Sequence, residues 1–126
     1  MSGLVDQSAD ARSKTISGNF RIRAWVNYNA ISSVIRSSGN VSTVADEATG
    51  DYTVNFASAM PDANYTVASV SSFVASGEGA DGTVNVNRAN SSGNEVAPTA
   101  SALRVNTSND AGSPDDMKYL NIIVVR

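Results

Sequence analysis

Neither cysteine nor histidine occurs among the 126 residues of this chain. Without cysteine there is no disulfide framework and no thiolate metal site. Without histidine the commonest general base and the commonest transition-metal ligand are gone, so Ser-His-Asp and Cys-His catalytic arrangements are impossible. Charge is scarce too: 17% of residues are Asp, Glu, Lys or Arg, the net charge is -3, and the pI is about 4.7. A surface built from Ser, Thr, Asn and Gly presents no basic field for phosphates, which argues against a nucleic-acid partner. No apolar run approaches the roughly 20 residues that span a bilayer, so membrane insertion is not expected. The N-terminus has neither a basic start nor an apolar core, so no signal peptide is expected and synthesis belongs in a cytoplasm.

What the chain does have is a repeated two-residue alternation. A chain of 13.1 kDa suits one domain and buries roughly two-thirds of its unfolded surface. From Asn19 onward, Phe20, Ile22, Ala24, Val26 and Tyr28 point one way, while Arg21, Arg23, Trp25 and Asn27 point the other. A weaker strand follows over Ile31 to Ser37, with Ile31 and Ile35 opposing Val34 and Arg36, and Ser37-Ser38-Gly39-Asn40 turns it back. Val41 to Ala45, with Val41 and Thr43 on one face, and Asp51 to Ala57, with Tyr52, Val54 and Phe56 against Thr53 and Asn55, are joined by Glu47-Ala48-Thr49-Gly50.

Pro61-Asp62-Ala63-Asn64 reverses the chain again, before a strand over Tyr65 to Ala75 whose length predicts a bend, a bulge or a passage between sheets. Gly77 to Gly82 is a turn, Thr83 to Asn90 a strand, and Ser91 to Ser101 a loop. Ala102 to Ser108 precedes the breaker Asn109 to Asp116. The final strand, Met117 to Arg126, is apolar on both faces and should therefore be central or sandwiched between sheets rather than at an edge. Seven to eight short strands with no substantial helix predict an all-β fold, an antiparallel β-sandwich over residues 19–126.

Residues 1–18 lack this alternation and read as an N-terminal arm, with Leu4, Val5, Arg12 and Lys14 as candidates for attachment, or else as a frayed terminus. Arg21, Arg23 and Trp25 on one strand face admit three readings: a recognition surface, a second core, or a buried subunit contact. The subunit contact is the preferred one, with Ile122 and Val124 of the last strand as further contact candidates. Glu78, Asp81, Asn94, Asp115 and Asp116 lie on loops and are candidates for outward contacts.

Acidic loops of this kind also raise calcium, but no spacing matches a known loop motif and turn chemistry explains them, so neither metal nor cofactor is expected. A glycosidase-like pair drawn from Glu78, Asp115 and Asp116 is disfavoured, because such carboxylates sit roughly 5 to 9.5 Å apart on a rigid frame and these lie on glycine-rich loops. Gly77-x-Gly79 lacks the strand-loop-helix setting of a phosphate site. The Asn-x-Ser/Thr triplets at Asn40, Asn64, Asn90 and Asn106 are chance products of composition.

Three segments carry a resemblance: Ala24-Trp25-Val26-Asn27-Tyr28-Asn29, Ile35-Arg36-Ser37-Ser38-Gly39-Asn40-Val41-Ser42, and Gly50-Asp51-Tyr52-Thr53-Val54-Asn55-Phe56 with Met60-Pro61-Asp62-Ala63-Asn64-Tyr65. Together they resemble a small β domain of tailed-bacteriophage virion proteins, found in tail fibres and other appendages, notably of phages infecting cyanobacteria and other aquatic bacteria. The likeness covers residues 12–70 and the Tyr119 to Arg126 strand. It departs at Ala30-Ile31-Ser32, where such domains carry a Gly-Thr-rich turn.

The resemblance implies a non-enzymatic structural or adhesive protein of the virion: a homotrimeric tail fibre or fibre-tip subunit whose partners are itself, other virion proteins and, in an adhesive role, a host surface glycan. Capsid decoration, with the module cementing the head lattice, is the nearest rival. A carbohydrate-binding module, with Trp25 or Tyr119 as stacking platform, is the rival from a different class.

Overall fold

A computed structural model describes residues 21–74, 83–86 and 94–126. The expected arm, the Gly77 to Gly82 turn and residues 87–93 lie outside the described residues, and with them Leu4, Val5, Arg12, Lys14, Glu78 and Asp81. Period-two alternation becomes eight strands: β1 (Ile22–Asn29), β2 (Val34–Gly39), β3 (Val41–Ala48), β4 (Asp51–Phe56), β5 (Thr66–Val74), β6 (Thr83–Val86), β7 (Ala102–Ser108) and β8 (Met117–Val125). They form two four-stranded sheets in the orders β2-β1-β8-β5 and β3-β4-β7-β6, and every pairing is antiparallel. No helix occurs among the described residues. The fold is the β-sandwich that the alternation predicts.

The core lies between the two central pairs. Ala24, Val26 and Tyr28 of β1 and Leu120, Ile122 and Val124 of β8 meet Tyr52, Val54 and Phe56 of β4 and Leu103 and Val105 of β7. Tyr28 and Tyr52 pack edge to face with centroids 5.7 Å apart, and Phe56 and Tyr65 do the same at 5.7 Å. As its two apolar faces demand, β8 is an interior strand between β1 and β5.

Five local expectations change. The strand expected over Ile31 to Ser37 starts at Val34 and runs through Gly39, because Ala30 to Ser33 forms the β1–β2 turn, with Ser33 at φ 54°. The reversal expected over Ser37 to Asn40 shrinks to Asn40, at φ 54°, where the chain passes from one sheet to the other. The Asn40 side chain secures that corner by donating to the Arg23 carbonyl (2.9 Å) and the Ser58 carbonyl (3.0 Å) and accepting from the Ser58 N–H (2.7 Å).

Val41 and Thr43 do not share a face. A bulge at Ser42 sets Val41 opposite Phe56 and Val44 opposite Val54, so Val41 and Val44 pack on the core. A bulge at Arg23 likewise turns Ile22 out of the core, leaving it 62% exposed opposite Val125. Finally, β5 has neither a bulge nor a passage between sheets: it pairs with β8 in one unbroken register, from Thr66↔Val125 to Val74↔Met117.

Candidate functional site

The two outer faces of the sandwich differ in chemistry. On the β3-β4-β7-β6 sheet, the outward side chains of β4 and β7 bond chiefly to one another, although the buried Asn106 Oδ1 has no partner among the described residues. Arg104 grips Asp51 with two bonds, Nε to Oδ1 at 2.6 Å and Nη2 to Oδ2 at 2.7 Å, while its Nη1 reaches Thr53 Oγ1 at 3.2 Å and Glu47 Oε1 at 3.4 Å. Asn106 Nδ2 adds a bond to Asp51 Oδ1 at 2.8 Å, and Thr53 Oγ1 donates to Glu47 at 2.7 Å. This network is internally complete around Arg104, and Asp51 raises that guanidinium's pKa above its usual range. It stabilises the sheet and presents little for a ligand.

The outer face of the β2-β1-β8-β5 sheet is apolar and aromatic. Ile22 and Val70 are 62% exposed, Trp25 40%, Tyr119 41% and Ile123 42%, and Val34 joins them at the β2 edge. Cross-strand register sets Trp25 beside Ile123 and Ile123 beside Ala68, then Asn27 beside Asn121 and Asn121 beside Val70. Large exposed apolar residues concentrated on one sheet face mark an interaction surface. The face has two parts. Toward β5 it is aliphatic, with Ile22, Ile123, Val125, Ala68 and Val70. Toward β2 it is aromatic and polar, with Trp25, Asn27, Asn121, Tyr119 and Arg36.

The second part is held in shape by its neighbours. Gly39 lies directly opposite Trp25, and a Cβ at Gly39 would fall 2.3 Å from the indole Nε1, so the ring rests across the bare glycine backbone. A bulge at Arg36 frees that side chain from the β1–β2 pairing. Its guanidinium lies 4.5 Å from the Tyr119 ring centroid, and Nη1 donates to Asn27 Oδ1 (3.2 Å) and to the Tyr28 carbonyl (3.3 Å).

The residues expected at subunit contacts separate here. Trp25 is on the exposed face. Arg21 is exposed at its corner, its carbonyl accepting from the Arg126 N–H at 3.1 Å, and Arg23 Nε donates to the Arg126 carbonyl at 3.0 Å. Ile122 and Val124 are each 1% exposed between the sheets and cannot meet a partner. The opposite parity of β8, Tyr119, Asn121, Ile123 and Val125, faces outward instead. The sequence signal for that choice was Tyr119 and Asn121, the polar or amphipathic members of one parity, against Leu120, Ile122 and Val124 in the other.

The loop candidates also separate. Asn94 is exposed. Asp115 accepts from the Asp116 N–H through Oδ1 at 2.9 Å. Asp116 is half-buried and engaged within the fold: its carboxylate accepts the Gly50 N–H at 2.8 Å and the Tyr52 hydroxyl, tying the start of β8 to the β3–β4 turn of the other sheet. Burial, followed by the hydrogen bond and the charge of Asp116, drives the Tyr52 pKa strongly upward. Among the described residues no group of three or more Asp and Glu side chains is placed to hold a metal ion, and no helix is long and apolar enough to cross a membrane. Compared with protein families, curated proteins and solved structures, the chain matches none.

Proposed function

We propose that the chain is a non-enzymatic structural module of a bacteriophage virion appendage, a short tail fibre or fibre-tip subunit that works as a homotrimer in host adhesion. One observation carries the assembly part of this reading. Ile22, Val70 and Ile123 stand exposed on the outer face of a single sheet, whereas the other sheet's outer face closes on itself through Asp51 and Arg104. An aliphatic surface of this kind is stabilised by being covered, and closed symmetric self-association covers it in every copy at once. The virion setting is supported by the resemblance of the β1, β2 and β4 segments to a phage appendage domain.

Light scattering and sedimentation of the purified chain test the assembly. A trimer is expected, converted to monomer by Val70→Asp or Ile123→Asp with an unchanged β-type circular-dichroism spectrum; a wild-type monomer at tens of micromolar overturns it. Locating the chain in a particle reconstruction tests the setting. A few dozen copies on an appendage is the expected result, whereas hundreds on the head lattice would replace fibre by capsid decoration.

A further inference from the structure

We infer that the β2-side strip of the same face, Trp25, Asn27, Asn121 and the stacked Arg36–Tyr119 pair, is a binding site for a neutral glycan of pyranose units. The inference rests on the adhesion part of the reading above and gives it a ligand.

Trp25 supplies the stacking surface. The Nε1 side of its indole, with Cδ1 and Cε2, lies against Gly39, where no side chain intervenes, and the residue is still 40% exposed. A tryptophan packed this closely on a glycine is held by its cross-strand neighbour, and its 40% exposure leaves part of the ring open to a ligand. A pyranose ring has one face made largely of C–H groups and an edge made of hydroxyls, so a flat, fixed indole beside hydrogen-bonding side chains complements both.

Those side chains are present along the two strands that follow. Asn27 and Asn121 are direct cross-strand partners one pleat beyond the Trp25–Ile123 pair. The Asn121 amide makes no hydrogen bond among the described residues. An amide offers a donor and an acceptor side by side, the pattern that two neighbouring sugar hydroxyls can satisfy together. Arg36 closes the strip. Its guanidinium is held at 4.5 Å over Tyr119 and bonded to Asn27 Oδ1, so the remaining N–H groups are oriented in advance.

Size and charge narrow the ligand class. Tyr119 lies four residues along β8 from Ile123, the partner of Trp25, so the backbone positions that carry the two aromatic rings are offset by about 13 Å along the strand direction. A single ring cannot reach both, which makes the ligand an oligosaccharide. The cations at the Tyr119 end, Arg36 and Lys118, both lie over that ring, at 4.5 Å and 5.8 Å from its centroid, and the polar groups between them and Trp25 are amides. A neutral hexose chain fits this lining better than an acidic one. The aliphatic β5-side patch adjoins the strip, with Ile123 beside Trp25 and Val70 beside Asn121, so copies that associate through Val70 and Ile123 bring several strips together at the border of the contact.

Trp25 is the only tryptophan in the chain, so its emission reports this site alone. The test is an array of neutral, uronic-acid-containing and sialylated oligosaccharides, followed by fluorescence titration of the hits and of free glucose and galactose, using the full chain. Binding of neutral oligosaccharides with a Trp25 emission change is expected, with free monosaccharides much weaker. Asn121→Ala and Tyr119→Ala should each lower affinity by about tenfold while leaving the light-scattering mass and thermal midpoint unchanged. No binding to any array member, binding confined to acidic glycans, or binding undiminished in both variants would overturn the site. Because mass is read in the same samples, failure of glycan binding with an intact trimer sinks this inference alone.

Discussion

The indole of Trp25 lies across Gly39, its cross-strand neighbour, so closely that a Cβ there would stand 2.3 Å from Nε1 and 2.8 Å from Cδ1. Gly39 does not adopt a left-handed backbone conformation; its role is to be flat. A glycine in a strand ordinarily weakens it, and an aromatic laid over the glycine restores the lost packing.

Gly39→Ala should therefore lift the indole away from β2. The expected result is a red-shifted tryptophan emission and a loss of about 1 kcal/mol, the scale of a cross-strand pair, read by denaturant titration. An unchanged emission spectrum would show that the ring does not rest on Gly39.

Gly50 is constrained twice. It has φ +66°, and a Cβ would meet the Thr107 carbonyl oxygen at 2.4 Å and the Asp115 nitrogen at 2.7 Å, both backbone atoms. The Thr107 N–H also donates to the Gly50 carbonyl at 2.8 Å, so the turn cannot move aside without losing that bond. Gly50→Ala should cost about 3 kcal/mol or more, combining left-handed strain with overpacking, measured by chemical denaturation. A cost under about 1 kcal/mol would mean that the turn relaxes.

The Asp51–Arg104 pair has side chains that are 6% and 14% exposed. Asp51→Ala should cost about 3 kcal/mol, because it removes the two-bond partner of the guanidinium and leaves it only the longer carboxylate contact to Glu47 at 3.4 Å. Replacing both residues by leucine should cost much less than the two single changes together, since no uncompensated charge remains. A double-mutant cycle with no coupling would contradict the geometry.

Alkaline pH should unfold the protein through its tyrosines. Burial raises the pKa of Tyr28, Tyr52 and Tyr65 above the ordinary value of 10.0, Tyr52 furthest. Below pH 10 both folded and unfolded chains hold these protons, so the stabilisation is complete. Above it the unfolded chain ionises first, and stability falls by about 1.4 kcal/mol per pH unit for each such tyrosine until the folded pKa is reached. Tyr52→Phe should remove one tyrosine's share of that slope and cost about 1 kcal/mol at neutral pH for the bond to Asp116. Urea titrations at a series of pH values read both effects; an alkaline limb equally steep in the variant would refute the assignment.

How much of this was legible beforehand depends on the residue. In β4, Tyr52, Val54 and Phe56 alternate with polar Thr53 and Asn55, and the structure buries the first three and turns the others outward. In β8, the apolar Ile123 and Val125 share a parity with Tyr119 and Asn121, so the strand's central position was plain while its inward parity was marked only by those two residues. That is why Ile122 and Val124 look like contact residues in the sequence and prove to be core, while Ile123 and Tyr119 take the surface. The bulges at Arg23, Ser42 and Arg36 shift parity by one residue, and nothing in the side-chain pattern announces them.

The sequence by itself determined a two-residue period interrupted by turn chemistry, and with it an antiparallel sandwich, because alternation over short segments has few other ways to bury its apolar side. Tertiary structure alone decided which partners meet. Asp51 and Arg104 stand 53 positions apart and are joined by β4–β7 register, and Trp25 finds Gly39 through β1–β2 pairing. The physical reason is that register is a collective choice of two whole strands. The composition of either strand alone does not contain it, yet it sets which outer face is closed by its own hydrogen bonds and which is left open to a partner.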